Sequence, residues 1–413
     1  MTKGGPLRDC RVLELGSMVA GPFCARLFAD FGAEVIKVEP PDGDAVRSFA
    51  ERYQGKSLYW ASVARGKRAI AVNLKTEAGR EIIRQLMATC DVVVENYRPG
   101  QLEEWGLGYD DVAKLHPRLV MVRISGFGQT GPYRERPGFG IVGEALSGLR
   151  SLIGDPDRPP TRAATPLTDY VAAVYAAFGT MLALYDRDRT GRGQCVDATL
   201  IESAFSMMEG FVPAFDKLGR IANRVGTRLP GHAPNNLYPT GDDDWIQIAA
   251  GNTSTFRRLA KAMEREDLAR DPRFADATER NQNDAALDAI ITAWTESHDR
   301  DWLYKTLVAH EVPAAPIYTV ADIFKDPHYQ ARDMLVQAPD GELGPVTVTG
   351  VVPKLSESPG EVRWAGRPLG ADTAAVLTEL LGLNGADIAR LEASGAIVCA
   401  RAPTPARAAA PGE

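Results

Sequence analysis

Five charged side chains stand where they could do chemistry. Lys75 follows the strand-like run Ala69–Asn73, and Arg98 follows Asp91–Glu95. Open α/β sheets bind their ligands just beyond strand carboxyl ends, so two cations at that rim could meet phosphate groups. Arg134 and Arg136 lie in the turn-rich loop GPYRERPGFG and could serve the same purpose. Taken singly, all four also read as ordinary solvated charges. The acid is Asp169, in the first turn of a helix expected over Thr168–Tyr185. There the helix dipole favours an anion and should hold its pKa low, and Thr168 can cap the start. From spacing alone Asp169 is a carboxylate at a helix start, and nothing singles it out.

Other chemistries lack their residues. The five histidines (His116, His232, His298, His310, His328) are far apart, without metal-ligand spacing, so no metal site is expected. Cys10, Cys24, Cys90, Cys195 and Cys399 form no C-x-x-C and suggest no disulfide framework. No nucleophile elbow or phosphate-binding P-loop occurs. The net charge of −7 argues against a nucleic-acid partner. The N-terminus MTKGGPLRDC has no apolar leader core, and no apolar run reaches the roughly 18 residues of a membrane span, so a cytoplasmic location is expected.

The elements that must position these residues begin with RVLELGSMVAGPFCARLFADFGAEVIKVE, residues 11–39. It reads as a strand at Val12–Leu15, a helix with an apolar stripe from Ala20 to Phe31, and a second strand closed by Glu39. Gly32 is placed to end the helix in a left-handed conformation. A dinucleotide binder would carry G-x-G-x-x-G at the first turn, and this turn is Gly16-Ser17-Met18-Val19-Ala20-Gly21-Pro22. Further strands are expected at Leu119–Ser125 and Cys195–Thr199, with helices at Glu77–Thr89 and Glu202–Lys217. Alternating strands and helices predict a doubly wound parallel sheet. Residues 126–165 read as a long loop region, and periodicity lapses from Arg220 to Asp243. A smaller α+β unit follows, with strand Trp245–Ala250 and helices Thr255–Met263, Asp284–Glu296 and Trp302–His310. Helices Asp372–Leu381 and Ala386–Ala393 close the chain.

Seven segments in order carry a resemblance. They are VLELGSMVAGPFCARLFADFGAEVIKVEPPDGD, RGKRAIAVNLKTEAGRE, DVVVENYRPGQLEEWGLGYDD, ISGFGQTGPY, PLTDYVAAVYAAFGTMLAL, GRGQCVDATLIES and VPAAPIYTVADIFKDP. Over roughly residues 7–398 the chain resembles the family III CoA-transferases, a group that includes the α-methylacyl-CoA racemases. The resemblance implies a Rossmann-like large domain whose parallel sheet is built from both chain ends, a smaller inserted α+β domain, and an interlocked homodimer. The implied layout is a large CoA-binding domain beginning with residues 1–205, a linker at 206–224 and a small domain at 225–325. A linker and the rest of the large domain follow at 326–400, then a disordered tail at 401–413.

The resemblance makes Asp169 the nucleophile of a CoA transfer between carboxylic acids, possible because a carboxylate attacks a thioester to give a mixed anhydride. The CoA contacts it implies are Val19, Ala20, Val72, Asn73, Leu74, Lys75, Asn96, Tyr97 and Arg98, with Arg136 beside them. Acyl-CoA, succinyl-CoA among the candidates, is then a substrate, and no permanently bound cofactor is expected. Pro40 replaces an arginine that some relatives carry, and Arg47 is a candidate substitute. AAGNTST at Ala249–Thr255 lacks the glycine run of oxalate-using relatives. The alternative, a 2-methylacyl-CoA racemase, would need a histidine where Gly138-Phe139-Gly140 stands. Arg162, His232, Asn235 and Asn236 are polar loop residues that could reach a distal carboxylate.

Overall fold

Period-two alternation builds the large sheet. The computed structural model describes residues 4–400; the expected disordered tail lies outside the described residues. The chain divides into two units, one of residues 1–149, 163–209 and 330–413, the other of 150–162 and 210–329. In the first unit the strands are β1 (Arg11–Glu14), β2 (Glu34–Glu39), β3 (Lys67–Val72), β4 (Val92–Glu95), β5 (Val120–Ser125) and β6 (Cys195–Thr199). They lie side by side in the order β3-β2-β1-β4-β5-β6, all parallel. Among its helices are α1 (Ala20–Asp30), α2 (Leu58–Val63), α3 (Glu77–Met87), α4 (Gly140–Leu146), α5 (Leu167–Thr190) and α6 (Leu200–Phe205). Leu13, Ile36, Ile70, Val93 and Met121 face α3 on one side, while Val12, Val35, Val92, Val94 and Val120 face α1 and α5 on the other. A parallel sheet covered on both faces needs this doubly apolar pattern. Gly32 ends α1 at φ +99°, as its position predicted.

Three local expectations are corrected. The helix read over Glu202–Lys217 breaks into α6, a 3₁₀ turn at Ser206–Met208 and, after Gly210, α7 (Phe211–Leu218). Thr168 does not cap α5: Pro166 precedes the helix, no side chain caps it, and Thr168 Oγ1 donates to the Gly140 carbonyl at 2.7 Å. The third concerns apolar length. By length and composition the 24-residue α5 could cross a membrane, although no run of that kind was expected. Its small-residue face, Ala172, Ala173, Ala176 and Ala183, is buried in the core it shares with α1 and the sheet.

In the second unit β7 (Asn235–Pro239), missed because its apolar alternation is weak, pairs antiparallel with β8 (Trp245–Ala249), which pairs with β9 (Ala314–Pro316). Helices α8 (Thr253–Ala262), α9 (Asp284–Thr295) and α10 (Arg300–Ala309) pack on this sheet around Tyr238, Ile248, Phe256, Leu287 and Leu303. The chain then returns to the first unit. The hairpin β10 (Leu335–Ala338) and β11 (Val346–Thr349) precedes α11 (Thr373–Leu381), α12 (Gly385–Ala393) and β12 (Ile397–Val398). β12 pairs antiparallel with β3, Ile397 opposite Val72, so the last strand of the sheet comes from the far end of the chain.

Candidate active site

Four loops at the carboxyl rim of the sheet, those following β1 to β4, line a cavity of about 460 Å³. Ser17, Val38, Pro40, Pro41 and Asp42 form one wall, and Val72, Asn73, Leu74, Lys75, Tyr97 and Trp105 form the other. Tyr97 and Trp105 meet edge to face with centroids 5.3 Å apart, giving an aromatic corner. Lys75 is exposed at the mouth and Arg98 is exposed beside Tyr97; neither side chain has an ion-pair partner among the described residues. An elongated ligand with an aromatic base and phosphates suits such a surface.

Behind this rim the Gly16–Pro22 turn is fixed by buried charge. Lys37 Nζ donates to the Gly16 carbonyl and lies 2.7 Å from Asp44 Oδ2 and 3.2 Å from Glu14 Oε1. Lys67 Nζ reaches Glu14 Oε2 at 2.6 Å and the Pro22 carbonyl at 2.7 Å. Asp44 Oδ1 accepts from Ser17 Oγ at 3.0 Å and from the Met18 amide at 3.4 Å. From the opposite side the Asn96 amide takes both backbone groups of Ser17, at 2.7 and 2.8 Å. Met18 is thereby held at φ +65°, a conformation a non-glycine residue rarely adopts. All four charged members are nearly inaccessible, so each lost partner would strand an ion in the interior.

Asp169 is set in different surroundings. Burial pushes its carboxyl up to about 6 from the ordinary 3.8; a backbone N–H opposes this, and no cation does. This reverses the low pKa expected from the helix dipole, because desolvation outweighs the helix N-terminus here. A Cβ built on Gly140 would lie 1.9 Å from Asp169 Oδ2, so the carboxylate occupies the place of a missing side chain. The next residue, Tyr170, bonds the Tyr59 hydroxyl at 2.8 Å and meets the Phe23 ring edge-on at 4.7 Å. Phe23, Tyr59 and Met18 pack on one cluster with Val46, Trp60 and Val63. An aromatic and apolar wall therefore runs from the Met18 turn to the neighbour of Asp169.

The sequence-derived candidates fare unequally in this geometry. Val72, Asn73, Leu74, Lys75 and Tyr97 line one cavity. Val19 and Ala20 are buried, leaving backbone as what they can present. Asn73 spends its amide on the Gly395 carbonyl and the Lys75 N–H, as Asn96 spends its own on Ser17. Arg136 is exposed, stacked 3.6 Å from the Tyr133 centroid, and is not part of the cavity wall. Arg47 is no free substitute for the missing arginine: Glu39 holds it at 2.6 and 2.7 Å, and it stacks on Trp60. In the second unit Asn235 accepts from Gln247, and Asn236 is bonded to Thr227 and Asp288. Trp105, Asp44, Tyr59 and Tyr170 were not anticipated; the pairing of aromatics with the rim segments was the available signal.

The relatives agree with the geometry. The profile of CoA-transferase family III matches residues 7–373. The succinyl-CoA–D-citramalate CoA-transferase of Chloroflexus aurantiacus is 46% identical over 95% of this chain and 98% of its own length. The beta subunit of succinyl-CoA–L-malate CoA-transferase from the same organism is 41% identical over 92% and 95%. Among solved structures, a CaiB/BaiF family protein from Brucella suis superposes with a TM-score of 0.83 at 34% identity, covering 92% of this chain and all (100%) of that one. With a parallel sheet, a rim cavity and matches of this length, the chain belongs to CoA-transferase family III and is a CoA-transferase.

Proposed function

We propose that the protein moves CoA from succinyl-CoA to a short dicarboxylic acid of the citramalate or malate type, with Asp169 as nucleophile. The observation that carries this is a half-buried carboxylate without a neutralising cation, seated against Gly140 and followed by Tyr170, which bonds Tyr59 and packs on Phe23. The carboxylate attacks the thioester carbonyl, the C–S bond breaks, and a mixed anhydride and CoA thiolate result. The thiolate attacks the aspartyl carbonyl, giving an aspartyl-CoA thioester and free succinate. The acceptor carboxylate attacks that thioester, and the released thiolate attacks the acceptor's acyl carbon. Product thioester leaves and Asp169 is regenerated, with no net proton change. A desolvated carboxylate gains nucleophilicity because no water or cation must be stripped from it. CoA would lie in the cavity walled by Val72–Lys75 and Tyr97, with Lys75 and Arg98 toward its phosphates and the turn at Val19 and Ala20 offering backbone. Arg136 is placed outside that wall and is assigned no contact.

The racemase reading is not adopted: Phe139 stands 70% exposed at the position of the required histidine, and the reported relatives are transferases. We also propose an interlocked homodimer. Val174, Tyr175, Phe178, Met181, Leu182 and Tyr185 form an exposed apolar stripe along α5, which a second copy would cover. The five cysteines are unpaired thiols, in keeping with a reducing cytoplasm. Incubation with succinyl-CoA followed by hydroxylamine or borohydride, read by peptide mass spectrometry, should place the modification on Asp169. Modification at another carboxylate, or full transfer activity in Asp169→Ala, would refute the mechanism.

A further inference from the structure

Arg26, on α1, is a cation in search of an acid. It is 7% exposed, and its guanidinium makes no hydrogen bond to any described residue. Its one ion-pair contact is Asp30 Oδ2, 3.4 Å from Nε. Asp30 is already committed: Arg65 grips it with two bonds, 2.9 Å to Oδ1 and 2.7 Å to Oδ2. Two buried guanidiniums thus share one carboxylate, leaving one positive charge uncompensated. Its Nε is buried without a hydrogen-bond partner, and a buried donor left unsatisfied is costly.

The place of that charge gives it meaning. The guanidinium lies over the Phe23 ring, 4.4 Å from its centroid, and the edge-on partner of Phe23 is Tyr170, the residue after Asp169. The Tyr59 hydroxyl, bonded to Tyr170, lies within electrostatic reach of both the Asp169 carboxylate and the Arg26 guanidinium. Asp169 itself receives no contribution from Arg26, so the two do not form an ion pair. A cation packed on the ring that meets Tyr170, one residue from the proposed nucleophile, suits a substrate with a reacting carbonyl at one end and a carboxylate at the other. A planar guanidinium meets a carboxylate with two parallel bonds.

Resting on the transfer reading above, we propose that Arg26 binds the distal carboxylate of the dicarboxylic acyl group and so sets the preference for dicarboxylates. The test compares succinyl-CoA with butyryl-CoA, which has the same chain length and no distal carboxylate. Equilibrium affinities are measured in the full-length protein and in Arg26→Gln and Arg26→Lys. Arg26→Gln should weaken succinyl-CoA by ~10–100-fold, the loss of one charge-assisted contact pair, and leave butyryl-CoA unchanged. Arg26→Lys should recover part of the difference. Equal weakening of both thioesters, or of neither, would overturn the proposal, as would a loss confined to subunit association in sedimentation. Asp169 trapping by succinyl-CoA in the unaltered protein separates the two levels. If trapping succeeds and discrimination is unchanged in Arg26→Gln, this inference alone fails; if no adduct forms on Asp169, the transfer reading falls first.

Discussion

The Gly16–Pro22 turn and the Asp169 pocket are built in opposite ways. The turn rests on two buried lysines and two buried acids, with Asn96 clamping Ser17 from the other side. The Asp169 carboxylate has a backbone N–H, a glycine seat and aromatic neighbours. In the turn charge is paired, which gives rigidity; at Asp169 it is left uncompensated, which on the proposed mechanism keeps the carboxylate reactive. A lysine beside Asp169 would lower its pKa and its nucleophilicity together.

This contrast can be broken at either end. The largest effect belongs to Asp169→Ala: steady-state transfer should fall by ~10⁴-fold or more, the scale of losing a covalent nucleophile, while acyl-CoA affinity is kept. Weaker binding with intact turnover would reverse the assignment of the two regions. Next is Lys37→Met, which strands Asp44 beneath the turn and leaves Glu14 to Lys67 alone. Chemical denaturation should show a loss of ~3–5 kcal/mol, as for a broken buried ion pair, and KM for acyl-CoA should rise in whatever remains folded. A neutral outcome would mean the turn does not depend on its ions.

Gly140→Ala probes the other side more gently. The built Cβ collides with the tip of a side chain, Asp169 Oδ2 at 1.9 Å and Thr168 Oγ1 at 2.9 Å, and Gly140 does not require a positive φ. Stability should therefore stay within ~0.5 kcal/mol, while turnover drops by ~10–100-fold as the carboxylate is pushed off its seat. Unchanged turnover would show that the seat is irrelevant to the chemistry.

The smallest effects concern protons. With its carboxyl raised to about 6, Asp169 is ionised at neutral pH and protonated below that value, so kcat/KM should decline on the acid side with a limb near 6. Because the folded pKa exceeds the unfolded one, ionisation costs stability above about pH 6, and that cost is relieved as pH falls toward 3.8. Asp169→Asn should accordingly raise neutral-pH stability by on the order of 1–3 kcal/mol, and the gain should vanish near pH 4. A limb near 4 in the rate profile would mean that a cation reaches Asp169 in the working enzyme.

Much of the frame was legible from the residues. The strands at Val12–Leu15, Asp91–Glu95 and Leu119–Ser125 stand within a residue of their positions because both faces are buried and the runs are uniformly apolar. Lys75 was placed at the rim by the strand before it, while Val72, Asn73 and Leu74 came from the resemblance; all four line the cavity. What stayed hidden depends on distant residues meeting. The reactive setting of Asp169 comes from Phe23, Tyr59 and Gly140, segments that no local pattern links. Asn96 entered through the resemblance alone, and its bonds to Ser17, 79 residues away, were not legible locally. Arg47 looked available because its short reach back to Glu39 is a feature of the turn between them, not of composition.

The last strand has a consequence for synthesis. β12 lies along β3 at the edge of the sheet, and the Asn73 amide and side chain both reach back to Ala396 and Gly395. Until a ribosome has delivered these residues, β3 has an open flank and Asn73 lacks its partners on the last strand. A chain arrested before β12 would expose a bare strand edge, the kind that recruits neighbouring polypeptides into aggregates. The rim segment is thus unfinished until residues 395–398 have been made, and premature stops ahead of them should be read as folding lesions.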